Sequence, residues 1–366
     1  MNVDNINLNI PNLTVSETKN AILAMYKNAI SKQIPFISLP TPFYWGAPGI
    51  GKSQSIYQLA NDLRKATAKT VTVTEVRLLL FSPVDLRGVP MADEHRKFTN
   101  WLKPQIFNMD SDDGCINILF LDELSAAPQS VQAAAYQICL DRRIGEHRLP
   151  DNCIVIAAGN RITDQSISYK MPKALCNRLL HINIKSDYAS WRKWAVENDI
   201  SPKVIAYLGF DSSRLCVEPE NAELAYPTPR TWSFVSTLLK TICDDPSQIH
   251  HLIAGCVGES TAIEFEEYCK GTLNMPCVDD IILGRCNDYP KKHDVLFALT
   301  SALVSVLSEK SKELPVDQLD NVCRYITHFP RDFVMAFVSD ITCIDELNKK
   351  LMKCQSFQIW LNKKKN

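Results

Sequence analysis

Gly46-Ala47-Pro48-Gly49-Ile50-Gly51-Lys52-Ser53 spells G-x-x-x-x-G-K-S, a loop whose backbone N–H groups turn inward around phosphate oxygens. Such a loop belongs between a strand and a helix, and both flanks are present. Ile37 to Trp45 upstream is an apolar-rich extended segment, and Ser55-Ile56-Tyr57-Gln58-Leu59-Ala60-Asn61-Asp62-Leu63 downstream has helical spacing. The glycines permit a tight turn, and the following helix adds partial positive charge at its N-terminus. Gly46 through Ser53, with Gln54 behind them, therefore form a candidate cradle for ATP or GTP. Lys52 would reach the terminal phosphates as a point charge. The Ser53 hydroxyl would give one oxygen to a Mg2+ ion that keeps most of its waters.

Further along, Ile116-Asn117-Ile118-Leu119-Phe120-Leu121-Asp122-Glu123 reads as a buried strand ending in two carboxylates. Asp122 is placed to hold the magnesium through water, and Glu123 to orient and polarise an attacking water, which needs an ionised carboxylate within hydrogen-bond reach. Ile154-Val155-Ile156-Ala157-Ala158-Gly159-Asn160 ends another strand. Asn160 is either an ordinary Gly-Asn turn residue or a neutral amide that donates to the γ-phosphate and accepts from the lytic water.

Around these motifs, Ala21, Ile22, Met25, Ala29 and Ile30 form a helical stripe, with Ser16 and Lys19 a partial start signal. Thr70 to Leu80, Cys115 to Leu121, Asn152 to Ala158 and His181 to Ile184 read as strands, making five with the first. Helical stretches such as Ala126 to Leu140 separate them, so a parallel five-stranded sheet sandwiched by helices is expected, with ligand at the strands' carboxyl ends. From Tyr188 onward helical patterns dominate: Trp191 to Glu197, Lys203 to Leu208, Arg230 to Ile242, His250 to Val257 and Ala262 to Cys269. A short hinge at Lys185 to Asp187 divides the halves. Pro276 to Pro290 reads as irregular connection, Val295 to Leu307 and Phe333 to Ile341 as further apolar segments, and Lys363-Lys364-Lys365 as a solvated end. The expected domains are an α/β nucleotide-binding domain over 1–186, a helical lid over 187–275 and a helical extension over 276–366 packed on the lid.

Composition narrows the class. The 366 residues are 46% hydrophobic, enough for real cores. The 40 basic and 41 acidic residues give a formal charge of -1, so nucleic-acid binding is not indicated by global charge. No apolar run reaches the length of a membrane span, and Met1 to Asn7 lacks a basic region followed by an apolar one, which points to the cytoplasm and no membrane. The 13 cysteines lie between Cys115 and Cys354 without a C-x-x-C pair, as reduced thiols used as small core residues would. Arg142 and Arg143 read as solvated or intersubunit residues.

Taken together, the phosphate loop, Leu121-Asp122-Glu123, Gly159-Asn160 and Cys176-Asn177-Arg178-Leu179 resemble the AAA+ ATPases, and among them the MoxR-like group. Pro83-Val84-Asp85-Leu86-Arg87-Gly88-Val89-Pro90, followed by Phe98, Trp101 and Pro104, is similar to that group's insert after its second strand. Tyr226-Pro227-Thr228-Pro229-Arg230-Thr231-Trp232 is similar to the segment that carries the family's second sensor arginine. The resemblance implies a homo-oligomeric ring, with a hexamer expected, that couples Mg-dependent ATP hydrolysis to remodelling or chaperoning of a protein client. It also implies a partner bearing a von Willebrand factor A domain. Arg178 would be the finger reaching a neighbouring subunit's nucleotide, and Arg230 would couple nucleotide state to lid angle, in its own or a neighbouring subunit. Phe98 and Trp101 belong either to a hairpin used on clients or to a small local core. ATP is favoured over GTP by the resemblance, and no Asn-Lys-x-Asp segment is present. The alternatives are a DNA-acting AAA+ motor or nuclease-associated NTPase, and a non-hydrolysing switch, against which Lys52, Asp122, Glu123 and Arg178 argue.

Overall fold

The computed structural model describes residues 10–161, 171, 173–219, 223–271 and 275–363. Met1 to Asn7 and the lysines at 364 and 365 lie outside them. The chain divides into two compact units, Met1–Lys185 and Ser186–Asn366.

The first unit contains β1 (Asn12–Thr14), α1 (Val15–Ser31), β2 (Thr41–Trp45), α2 (Lys52–Thr67), β3 (Thr70–Arg77) and α3 (Pro83–Arg87), followed by β4 (Val89–Ala92), β5 (Thr99–Leu102), β6 (Cys115–Asp122) and α4 (Gln129–Asp141). Next come β7 (Arg143–Ile144), β8 (His147–Arg148), β9 (Cys153–Gly159), α5 (Lys173–Cys176) and β10 (Leu179–Lys185). Six strands form one sheet in the order β1-β10-β2-β9-β6-β3, and every pairing in it is parallel. The five expected strands are all there, and β1 adds a sixth at the edge of β10. Leu119, Leu121, Val155 and Ala157 pack on one face with Val131, Ala135 and Ile138 of α4. Their neighbours Ile118, Phe120, Ile154 and Ile156 are equally buried on the other. Burial on both faces is why these strands read as continuous apolar runs rather than alternating ones.

Several local expectations change. The first helix is capped by Thr14 and Glu17, which bond each other's backbone N–H at 3.2 and 2.8 Å, a reciprocal capping box that starts two residues ahead of Ser16. Strand β3 ends at Arg77, and Leu78–Leu80 form a 3-10 turn. The insert is an antiparallel hairpin of β4 and β5, but Phe98 is 73% exposed, so it belongs to no local core.

The second unit is all-helical: α6 (Tyr188–Glu197), α7 (Pro202–Phe210), α8 (Pro229–Thr241), α9 (His250–Val257), α10 (Glu259–Gly271), α11 (Val278–Ile282), α12 (His293–Glu309), α13 (Val316–Ile326), α14 (Arg331–Thr342), α15 (Asp345–Leu351) and α16 (Gln355–Lys363). It holds two apolar clusters, one built around Trp232, Phe265 and Tyr207, the other around Leu299, Phe337 and Ile326. Helix α12 packs along α7, and a buried ion pair of Arg192 with Asp340, 2.6 Å apart, ties α6 to α14. The stretch read as irregular from Pro276 contains α11, whose Ile281 and Ile282 are buried in the second cluster.

Candidate functional site

The loop from Gly46 to Gly51 leaves the carboxyl end of β2, which lies between β10 and β9 in the sheet. A Cβ on Gly46 would stand 2.4 Å from Ile50 Cδ1 and 3.0 Å from the backbone oxygen of Ile184, so only glycine lets the loop start this close to β10. Gly51 begins α2 at φ +102°, a left-handed conformation that side chains resist. No side chain caps α2. Its first-turn N–H groups are therefore of the kind that phosphate oxygens satisfy at a helix N-terminus.

Lys52, the first residue of α2, is buried. Its Nζ donates to the backbone oxygens of Gly46 at 2.5 Å and Ala47 at 3.0 Å, and to Asn160 Oδ1 at 2.9 Å. Because β9 lies between β2 and β6, Asn160 at the end of β9 stands between the loop and the carboxylates that end β6. Ser53 Oγ donates to Asp122 Oδ2 at 3.2 Å. Asp122 Oδ1 in turn accepts from the Glu123 backbone N–H at 2.8 Å. Lys52, Ser53, Asp122, Glu123 and Asn160, far apart in sequence, thus meet at one end of the sheet.

Glu123 has φ +58°, left-handed for a residue with a full side chain. Such a backbone costs about 1–2 kcal/mol and persists where the surroundings enforce it. Here Glu123 O accepts the N–H groups of Ala126 and Ala127, and Asp122 holds its N–H. The strand therefore stops abruptly after Asp122, in a tight turn at the sheet's carboxyl edge.

Two further residues belong to the site although no motif announced them. Ser125 is fully buried, and its hydroxyl both donates to Asn160 O and accepts from Asn160 N, each at 3.0 Å. It fixes the backbone of Asn160 from across the turn after β6. Arg77 is paired in register with Asp122 and donates from Nε to Glu75 Oε1 at 3.1 Å. The hydrogen bond to Glu75, and then its charge, holds the Arg77 guanidinium above its usual value, with smaller contributions from Asp122 and Glu123.

Arg178, expected to reach a neighbouring subunit, and Arg230, expected to act on its own or a neighbouring subunit's site, are both exposed. Arg178 follows α5 just before β10, and Arg230 is the second residue of α8 in the other unit. Arg142, read as a solvated or intersubunit residue, is instead 5% exposed. Its Nη1 donates to Thr41 Oγ1 at 2.6 Å and to the Cys139 carbonyl. A left-handed φ of 52° at the end of α4 turns it inward. The cysteines are all free thiols, and burial pushes Cys139 and Cys153 up to about 12, so neither is a thiolate nucleophile or ligand near neutral pH.

The donor set suits a hard cation. Ser53 and Asp122 offer adjacent oxygens, while among the described residues no group of three or more His, Cys, Asp or Glu could hold a metal. That combination fits Mg2+, which takes one or two protein oxygens and fills its octahedron with water and phosphate.

Loop, strand ends and helical second unit define the class: a P-loop α/β fold followed by a helical region. No protein-family model matches the chain, and no curated protein does. Among solved structures it is similar to C. elegans PCH-2 at 15% identity, over 71% of this chain and 69% of that one, with a TM-score of 0.36. A mutant of Thermotoga maritima RuvB matches at 15% identity over 81% of this chain and 87% of that one, TM-score 0.38. The Aeropyrum pernix ORC2 protein matches at 10% identity over 94% and 88%, TM-score 0.41. Among the described residues no helix is long and apolar enough to cross a membrane.

Proposed function

We propose that this chain is a Mg2+-dependent ATPase of the AAA+ type, MoxR-like in its motifs, that works in a homo-oligomeric ring and spends ATP on remodelling a protein client. The observation that carries the reading is the meeting of Lys52 with Asn160 and of Ser53 with Asp122 at one sheet end. In this account the loop amides from Gly46 to Ser53 and the Lys52 ammonium bind and orient the triphosphate, and Gln54 lies in the same first turn of α2. Ser53, and Asp122 through water, would hold the magnesium, which would supply positive charge against the phosphate oxygens. Glu123 orients the attacking water and takes its proton. Asn160, its backbone locked by Ser125, presents a neutral amide to the γ-phosphate and the water.

Arg178, exposed at the end of the α/β unit, serves a neighbouring subunit's nucleotide, where an undiminished guanidinium charge stabilises the transferring phosphoryl group. Arg230 reports nucleotide state to a lid formed by 187–275, with 276–366 as an extension. The β4–β5 hairpin, with Phe98 exposed beside its turn, meets the client or a von Willebrand factor A domain partner. Free thiols throughout fit a reducing compartment such as the cytoplasm.

The test is phosphate release from ATP with Mg2+, wild type against Glu123→Gln. Loss of the base should slow turnover by about 10²–10⁴-fold with ATP binding kept, and normal turnover in the variant would remove Glu123 from the chemistry. The same variant, loaded with ATP, should retain protein rather than DNA on a pull-down. Recovery of DNA would select a nucleic-acid motor instead.

A further inference from the structure

Within the second unit, α6 and the turn after it, α7, α12 and α14 enclose a cavity of about 220 Å³ that ATP hydrolysis does not use. Its wall is aliphatic, made by Val196, Ile200, Ile205 and Val304. Two polar residues at its inner end, Ser301 and Asp340, are each 4% exposed.

One of them brings an unsatisfied oxygen. Ser301 Oγ has no hydrogen-bond partner among the described residues, whereas its neighbour Thr300 bonds back to Leu296 O at 2.7 Å in the usual helical manner. Arg192 engages Asp340 through Oδ2, from Nε at 2.8 Å and from Nη2 at 2.6 Å. Buried polar atoms are normally paired, so the Ser301 hydroxyl, an exception that lines the cavity together with the Asp340 carboxylate, points to a polar occupant.

Charge gives its sign. Glu197, Asp199 and Glu309 are exposed around the outer end of the same cavity. Asp340 has Arg192, and Asp199 is bound by Lys240. Among the described residues no cation pairs with Glu197 or Glu309. Four carboxylates and two paired cations leave a net negative pocket with apolar sides.

We propose that this cavity binds a primary alkylammonium group, its methylenes against the aliphatic wall and its –NH3+ directed to Asp340 and Ser301. The ammonium matches the two acceptor oxygens with rotatable donors, as a planar guanidinium does not. The volume lies below that of drug-sized ligand sites, which suits one short unbranched chain. A free diamine and a lysine side chain from a partner protein offer the same chemistry.

Calorimetric titration of the full chain distinguishes the sources and tests the site. 1,4-Diaminobutane should bind saturably at one site and 1-butanol should not. Binding should weaken at least tenfold in Glu309→Gln, an exposed position whose melting temperature should stay that of wild type, and in Ser301→Ala. A lysine-bearing peptide that binds more tightly than the diamine and loses binding on Nε-acetylation identifies a partner's lysine as the natural occupant, while a preference for the diamine identifies a free amine. No saturable binding by either ammonium, an equal response to butanol, or unchanged affinity in the Glu197→Gln, Glu309→Gln double variant would overturn the proposal. None of these outcomes depends on ATP turnover.

Discussion

Replacing Lys52 with alanine should uncouple nucleotide affinity from folding, and the structure gives the size of the effect. The Lys52 ammonium is buried and bonded to Gly46 O, Ala47 O and Asn160 Oδ1, so it stands at the loop's centre rather than at its rim. A hydrogen bond to a charged group contributes about 1.5–3 kcal/mol. Two such bonds to phosphate oxygens amount to about 3–6 kcal/mol, which at about 1.4 kcal/mol per decade is a loss of roughly 10²–10⁴-fold in affinity. The same truncation frees two loop carbonyls beside a solvent-facing cradle, where water replaces the ammonium, and it removes the desolvation cost of a buried cation. The melting temperature should therefore move by only a few degrees. Fluorescence anisotropy of a labelled ATP with Mg2+, beside a thermal melt of the same preparation, reads both quantities. An affinity within threefold of wild type in a normally folded Lys52→Ala protein would refute the placement of the triphosphate in this loop.

Glu123→Gly should lose hydrolysis yet melt at or above the wild-type temperature, because glycine accepts φ +58° without the steric cost. A fall of several degrees would mean that the turn is not strained. Arg178→Ala should bind ATP normally and turn over roughly 10³-fold more slowly. Mixing it with Glu123→Gln subunits should restore part of the activity, and failure to do so would argue against a finger acting across an interface. His250 bonds Glu259 and Glu266, both at 3.1 Å, and the Glu259 hydrogen bond, ahead of Glu266, lifts its pKa above the ordinary 6.5. The raised pKa makes its contribution to stability full below pH 6.5, fading as pH rises through the folded value. Wild type should thus out-melt His250→Gln in mildly acidic buffer and match it at alkaline pH, and a constant gap would show that charge is not the cause.

How much of this was legible in sequence follows from the physics of each element. Strands β6 and β9 announced themselves because burial on both faces leaves uninterrupted apolar runs, and the loop because a phosphate nest constrains residue identity. Strand β1 left no trace, since three residues carry no alternation and its pairing depends on the free edge of β10. Ser125 was invisible because its partner Asn160 is distant in sequence and a serine after Asp122-Glu123-Leu124 is unremarkable alone. Arg142 misled because a charged pair reads as solvated, while a left-handed residue at a helix end can turn one member inward. Helix α13 carries a clear stripe of Leu319, Val322, Cys323 and Ile326 and went unassigned between two more apolar segments. Arg77 needed the register of β3 on β6, which only the folded sheet supplies.

One ion shared by Ser53 and Asp122 should escort the triphosphate. Soaking crystals with Mn2+ and a non-hydrolysable ATP analogue, and collecting anomalous diffraction at the manganese edge, tests it most directly. The account predicts a single strong peak between Ser53 Oγ and the Asp122 carboxylate, touching phosphate density cradled by residues 46–53. Nucleotide density without a peak there, or manganese and nucleotide lodged elsewhere on the molecule, would contradict it.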